Sequence, residues 1–177
     1  MNRIEKSVAL KSLRSRIIRE WYIKGWREVW FYPEWNGVKG WQGTDGIFFV
    51  GLNPSTGRFP SSDDQWLYKS LALRGFQSAH LTDVFKLRAK GADVSALIED
   101  TYIMERQRRH FSHELEVLNP RLIVAMGNAA DRIVRKWVTA LRVETIPHYA
   151  PRIKDDRFHI RFLRELDRMH GIYRNHR

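Results

Sequence analysis

The sequence contains no cysteine at all. This absence excludes disulfide bonds, thiolate zinc sites, cysteine nucleophiles and cysteine-ligated iron–sulfur clusters. Long hydrophobic runs are also missing, because the longest apolar runs reach only about six residues and a bilayer-spanning helix needs about 20. We therefore expect a soluble, cytoplasmic protein with no membrane partner.

Acidic residues are scarce relative to basic ones. The 177-residue chain has 20 Asp and Glu against 31 Lys and Arg, which gives a net charge of +11. So basic a molecule attracts polyanions in a salt-dependent way, and nucleic acid is the first partner to consider. A basic enzyme with no nucleic-acid partner is the alternative, and charge alone does not choose between the two.

The length fits one domain over residues 1–177. Residues 1–46 read as a basic, Trp-rich extension packed on it, with a surface helix over 4–24 followed by short strands and turns. The arginines on the outer side of that helix predict non-specific contacts with DNA phosphates; they are Arg14, Arg16 and Arg19.

Beyond residue 46, apolar strands alternate with amphipathic helices. The unbroken apolar run over 122–126 is typical of a strand buried on both faces of a parallel sheet. Strands are predicted at 48–50, 77–85, 122–126 and 143–146, and helices at 63–74, 93–117, 127–140 and 155–169. The alternation predicts a three-layer α/β/α fold around a central, mainly parallel four-stranded sheet.

Two polar loops follow strands of this sheet. One runs over 51–57 as Gly-Leu-Asn-Pro-Ser-Thr-Gly, and the other over 148–152 as His-Tyr-Ala-Pro-Arg. Because the carboxyl ends of parallel strands share one edge of a sheet, these loops can face a single ligand.

Four segments occur in the order and spacing of the uracil-DNA glycosylase superfamily, namely 51–55, 81–86, 122–127 and 148–152. The first segment resembles the Gly-x-Asn-Pro-Gly loop of the single-strand-selective and mismatch-specific branches. The last segment resembles the His-Pro-Ser-Pro-Arg form of the second loop of the superfamily. The resemblance covers about residues 47 to 170. It implies a monomeric DNA glycosylase, nucleoid-associated if bacterial, which flips a damaged or deaminated base and hydrolyses its N-glycosidic bond without metal or cofactor.

The resemblance also implies roles for individual residues. Asn53 would position the attacking water, and His148 would donate a hydrogen bond to the carbonyl oxygen of the leaving base. Arg152 would fill the gap left by the flipped nucleotide or grip its phosphate. The alternatives are an Asn53 that caps its own turn, and a His148 and an Arg152 that are merely solvated.

Other residues near the first loop have chemistry suited to DNA. The loop segment formed by Pro54, Ser55, Thr56 and Gly57 can bring backbone N–H groups and hydroxyls to a phosphate. Phe59 can stack on a flipped base, although a turn aromatic packed into the core is an equally good interpretation.

Asp83 departs from the superfamily pattern, in which an asparagine commonly reads the base edge. An asparagine amide both accepts from uracil N3–H and donates to O4, whereas an ionised aspartate only accepts. Uracil is therefore in doubt as the substrate, and a base that presents donors fits better. Burial that keeps Asp83 protonated, or a plain strand-end cap, are the alternatives.

Other enzyme classes fit less well. His110, His113 and Glu114 do not match the spacing of helical zinc motifs, and the chain lacks the glycine-rich nucleotide loops and the Gly-x-Ser-x-Gly elbow. No lysine or cysteine nucleophile falls in the matched motifs, although Lys86 lies near one, so a glycosylase would be monofunctional. The competing hypothesis is a nucleic-acid-binding or nucleoside-processing protein of the same fold without excision activity.

Overall fold

A computed structural model describes residues 1–89, 91–150 and 157–175. Within these residues, six α-helices surround a four-stranded, all-parallel sheet with strand order β2-β1-β3-β4. The α/β fold predicted from the sequence is confirmed. The strands are β1 (Ile47–Gly51), β2 (His80–Asp83), β3 (Leu122–Met126) and β4 (Val143–Ile146). The helices are α1 (Arg3–Ile23), α2 (Ser62–Leu73), α3 (Gly91–Glu99), α4 (Thr101–Leu118), α5 (Asn128–Trp137) and α6 (Phe158–Arg174).

Side chains of β1 point alternately to the two faces of the sheet and so define the two helical layers. On one face Phe48 packs against Phe111 of α4, with ring centroids 6.4 Å apart, and on the other Phe49 packs against Phe76 at 5.1 Å. Every residue of β1 and β3 is buried. A strand covered on both faces reads as a continuous apolar run, which is why these strands were visible in the sequence.

The α4 layer also contains α1 and α5. Trp21 of α1 donates a hydrogen bond to His110 of α4 (3.1 Å), and Trp137 of α5 lies 6.1 Å from Phe111. The opposite layer contains α2 and α6, which meet where Trp66 packs on Phe162 with ring centroids 4.9 Å apart. Helices therefore cover both faces of the sheet, as predicted for a three-layer α/β/α fold.

The connections create a topological switch point beside β1. From β1 the chain passes through α2 to β2, and from β3 it passes through α5 on the other face to β4. Ligands of open parallel sheets bind in the crevice at such a point, outside the carboxyl ends of the strands. The loop after β1 therefore begins where a site is expected on topological grounds alone.

Several predicted boundaries were wrong. The helix expected over 93–117 is two helices, because Asp100 ends the first and caps α4 through a hydrogen bond from the Ile103 N–H (2.9 Å). The strand expected over 77–85 is only His80–Asp83. The last helix, expected over 155–169, is described from Phe158 to Arg174.

The N-terminal extension covers the α4 side and reaches the site. α1 begins with a capping box between Asn2 and Glu5 and buries a stripe of apolar side chains; they are Leu10, Leu13, Ile17 and Trp21. The following segment then runs beside the residues after β2, where the Trp30 N–H donates to the Lys86 carbonyl (2.8 Å). No described helix has the length and apolar character needed to span a membrane.

Candidate active site

Asn53 lies two residues beyond β1 with its side chain fixed. Its amide nitrogen donates to the backbone carbonyls of Pro54 (3.1 Å) and Ala89 (3.3 Å). Across the described part of the chain no donor bonds to its Oδ1, so the amide oxygen remains free to accept. The local turn contact anticipated from the sequence is therefore present, but it engages the amide hydrogens and not the oxygen.

Asp83 ends β2 and is 3% exposed. Its Oδ1 accepts a hydrogen bond from the Tyr32 hydroxyl at 3.4 Å. Burial raises the pKa of Asp83 from 3.8 to about 7, against the opposing effects of Lys86 and Tyr32. Near neutral pH the side chain is thus present in both the protonated and the ionised form, and it both donates and accepts across that range.

Gly51 makes room for Asp83 on the neighbouring strand. The two residues are register partners in the parallel ladder, and a Cβ at position 51 would collide with Asp83 Oδ1. Only glycine lets the carboxyl group lie this close over the end of β1.

His148 follows β4 and is held as a neutral donor. Burial lowers the pKa of its imidazole, and its Nδ1 accepts a hydrogen bond from the Ala150 N–H (3.1 Å). A neutral ring that accepts at Nδ1 carries its proton on Nε2. Arg152, in the same predicted loop, lies outside the described residues.

Gly127, at the end of β3, lets His148 approach. Its φ of +93° is in the region that favours glycine, and a Cβ there would lie 3.2 Å from the Cβ of His148. The His148 ring stacks on Tyr149 with centroids 4.9 Å apart and planes inclined by 22°. The loop after β4 consequently turns over the end of β3.

The loops after β1 and β4 meet around one small cavity of about 20 Å³. Its lining residues are Trp30, Tyr32, Pro54, Ser55, Gly57, Phe59, Asp64, Arg88 and Tyr149. A space of this size holds about one water molecule. A nucleobase would enter only if the walls of the cavity moved apart.

The outer wall of this cavity is aromatic. Phe59 lies between Trp30 and Tyr68, with both centroid distances equal to 5.6 Å, and the Arg88 guanidinium lies 4.1 Å above the Trp30 ring. Phe59 is half-buried, so it packs against neighbouring rings and also faces the cavity. The structure thus shows Phe59 packed among aromatic rings, and its stacking on a flipped base stays a prediction.

The rest of the first loop is ordered by its own contacts. The Ser55 hydroxyl accepts from the Gly57 N–H (2.9 Å), and both residues are exposed. Pro54 is buried and Thr56 half-buried. Ser55 therefore shapes the turn, and the exposed side of the loop faces solvent where a phosphate could approach.

Two tyrosines lie between Asp83 and a second carboxylate, Asp64, in the first turn of α2. The Tyr149 hydroxyl donates to Asp64 Oδ1 (3.0 Å), and Tyr32 donates to Asp83. Burial raises the pKa of both tyrosines. Tyr32 and Tyr149 both line the cavity, and each donates a hydrogen bond from its hydroxyl to one carboxylate, Asp83 and Asp64 respectively.

Lys86 is buried behind the site and occupied with other groups. Its Nζ lies 2.9 Å from Glu114 Oε1 and donates to the Thr82 hydroxyl (2.8 Å) and to the Asp83 carbonyl. Burial raises the pKa of Glu114, but Lys86 and His80 outweigh that effect and bring it to about 2. Lys86 therefore forms an ion pair with Glu114 in the core and stabilises the end of β2 through its hydrogen bonds to Thr82 and Asp83.

The three residues considered for a metal site have separate partners. His110 accepts from Trp21, His113 contacts Arg16 (3.1 Å), and Glu114 pairs with Lys86. Among the residues that the structure describes, no group of three ligating side chains could hold a metal ion.

Comparison with known proteins adds no assignment. No protein-family model matches the chain, and a search of the curated proteins finds no match. The case for a function therefore depends on the motifs and on the geometry of the carboxyl edge.

Proposed function

We propose that the protein is a monofunctional DNA glycosylase that hydrolyses the N-glycosidic bond of a flipped base at the carboxyl edge of its sheet. The observation that carries the proposal is the orientation of Asn53. Its amide hydrogens are held by two backbone carbonyls, so its oxygen is left to accept a hydrogen bond from the attacking water. A neutral amide is a weak base, but it suffices when the base departs before water attacks an oxocarbenium-like sugar.

His148 supplies the complementary group for the leaving base. The N–H group at Nε2 can donate a hydrogen bond to the carbonyl oxygen on which negative charge develops. β3 lies between β1 and β4, which places the two strand ends about 10 Å apart at ~4.8 Å per strand. The base and its sugar are proposed to lie between Asn53 and His148, which follow these two strand ends.

Asp83 is the group proposed to read the base edge. With a pKa of about 7, it donates to a uracil-like carbonyl when protonated and accepts from an amino-bearing base when ionised. Uracil therefore remains a candidate substrate below neutral pH, and bases that present donors are favoured above it.

The small cavity favours the competing hypothesis. Because about 20 Å³ does not admit a base, a protein that binds nucleic acid on its surface and excises nothing also fits this structure. The glycosylase proposal requires that Phe59 or Tyr149 swing outward when a nucleotide arrives.

Alkaline cleavage of end-labelled oligonucleotides separates the two functions. Each oligonucleotide carries one uracil, hypoxanthine, xanthine, alkylated or oxidised base, in single- and double-stranded form. We expect wild type to leave an alkali-labile abasic site and Asn53→Ala to lose at least about 100-fold in rate. Asn175→Ala, an exposed residue after α6, is the matched control and should cleave as wild type.

Asp83→Asn in the same panel identifies the base that position 83 reads. Asn53→Ala cleaving at the wild-type rate would remove the proposed role of Asn53. An absence of cleavage on every substrate, with enzyme equal to DNA, would reject the glycosylase and leave the binding function.

A further inference from the structure

A second, larger cleft lies beside His148 and has a volume of about 800 Å³. One side is formed by the ends of β3 and β4 and by Asn128 of α5, and the other by α6. Three arginines of α6 line it, namely Arg161, Arg164 and Arg168. Their spacing of three and four residues places them on one face of the helix, so they form a continuous stripe.

The stripe is basic and partly held in position. Arg168 donates to Glu165 (2.7 Å) and to Glu144 (2.8 Å), and these hydrogen bonds raise its pKa. Arg164, in the middle of the stripe, is exposed. The described residues that line the cleft include these three arginines and one carboxylate, Glu165, while Glu144, outside the lining, also pairs with Arg168.

We propose that this cleft binds the phosphodiester backbone of the DNA strand next to the flipped base. An arginine guanidinium presents a planar set of donors that matches a phosphate. The stripe extends about 10 Å along α6, at 1.5 Å per residue, which suits successive phosphates of a strand and not one isolated anion. The register of the strand rests on the proposed function, since His148, which lines this cleft, is also the residue proposed to contact the leaving base.

The basic helix α1 is less suited to this role. Arg14 lies over the Phe31 ring at 5.3 Å, and Arg16 contacts His113 on α4. α1 also belongs to the α4 layer, on the opposite face of the sheet from α6. Its arginines therefore serve as the control for the cleft.

The test measures binding of a labelled, undamaged oligonucleotide by fluorescence anisotropy over a series of salt concentrations. The variants are Arg161→Ala/Arg164→Ala in the cleft and Arg16→Ala/Arg19→Ala on α1, which remove the same charge. For duplex DNA each lost phosphate contact lowers the slope of log affinity against log salt by about 0.9. We expect the cleft variant to lose about 1.8 in slope and at least tenfold in affinity, and the α1 variant to keep the wild-type slope.

Arg164→Lys keeps the charge and should keep the slope, which separates loss of a phosphate contact from damage to α6. An unchanged slope in the cleft variant, or an equal loss in the α1 variant, would overturn the inference while leaving base excision untouched. Wild type that binds with the expected slopes but excises nothing would reject the glycosylase and retain the cleft. Wild type that binds no DNA at low salt would overturn both.

Discussion

Replacing Asp83 with asparagine tests whether the carboxyl group at the end of β2 is held neutral. The amide has the same shape, and its oxygen can still accept from the Tyr32 hydroxyl. The substitution therefore removes the titrating proton and little else. The difference in unfolding free energy between the variant and wild type should therefore change steadily in one direction as pH rises.

The direction follows from the pKa that burial raises from 3.8 to about 7. Between these values the unfolded chain has released the proton of Asp83 and the folded protein still binds it, so wild-type stability falls as pH rises. The contribution is fully present below about pH 4 and is lost as pH rises through about 7. About three pKa units at 1.36 kcal/mol each give about 4 kcal/mol.

Urea unfolding of wild type and Asp83→Asn from pH 4 to pH 8 measures this quantity. We expect the variant to gain about 4 kcal/mol relative to wild type across the range, because other titrating groups are common to both proteins and cancel. Glu99→Gln removes an exposed carboxylate at the end of α3 and should follow wild type. Parallel curves for Asp83→Asn and wild type would refute the conclusion that this carboxyl group is neutral below pH 7.

Three further substitutions or measurements test the supports of the site. Gly51→Ala should lower the free energy of unfolding, measured in urea, by about 1–3 kcal/mol because the new Cβ collides with Asp83. The double variant Gly51→Ala/Asp83→Ala should lose less stability than the sum of the losses in the two single variants. Lys86→Met should cost about 3–5 kcal/mol because it leaves Glu114 buried without its cation, and adding Glu114→Gln should recover part of the loss in Tm. Nitrogen-15 NMR should show His148 protonated at Nε2 and bare at Nδ1 at pH 7; the reverse tautomer would contradict the proposed donor.

The sheet was predictable from sequence because its central strands are buried on both faces. The apolar runs ending at Gly51 and at Gly127 needed no tertiary information to be assigned. The break at Asp100 does not show in the sequence, since a continuous amphipathic pattern crosses it and only the hydrogen bond from the Ile103 N–H to the Asp100 side chain shows where α4 begins. Hydrophobic periodicity does not reveal a helix boundary that is set by a single side-chain contact.

The residues of the candidate site likewise fall into those that local sequence pattern locates and those that only tertiary contacts bring there. Asn53 and His148 lie in loops that follow strands and Asp83 ends a strand, so their positions could be located from the strand pattern, whereas their roles are implied only by the family resemblance. Tyr32 and Asp64 reach the site from an extension and from the first turn of α2, so their participation depends on tertiary contacts that no local pattern encodes. The signals that were present are weak: an aspartate with two acceptor oxygens at a helix start, and a tyrosine within an aromatic-rich segment.

The N-terminal extension therefore serves the site as well as the core. Trp30 and Tyr32 form part of the cavity wall, and Tyr32 is the donor that touches Asp83. Deleting α1 would expose the core face that includes Ile17 and Trp21, at roughly 1.5–3 kcal/mol for each large buried side chain, and would release the segment that carries these two residues. Loss of DNA binding in such a truncation would not distinguish a phosphate contact from unfolding. Point substitutions on the exposed faces of α1 and α6 keep the extension in place, and they alone can assign the DNA contacts to one layer of the protein.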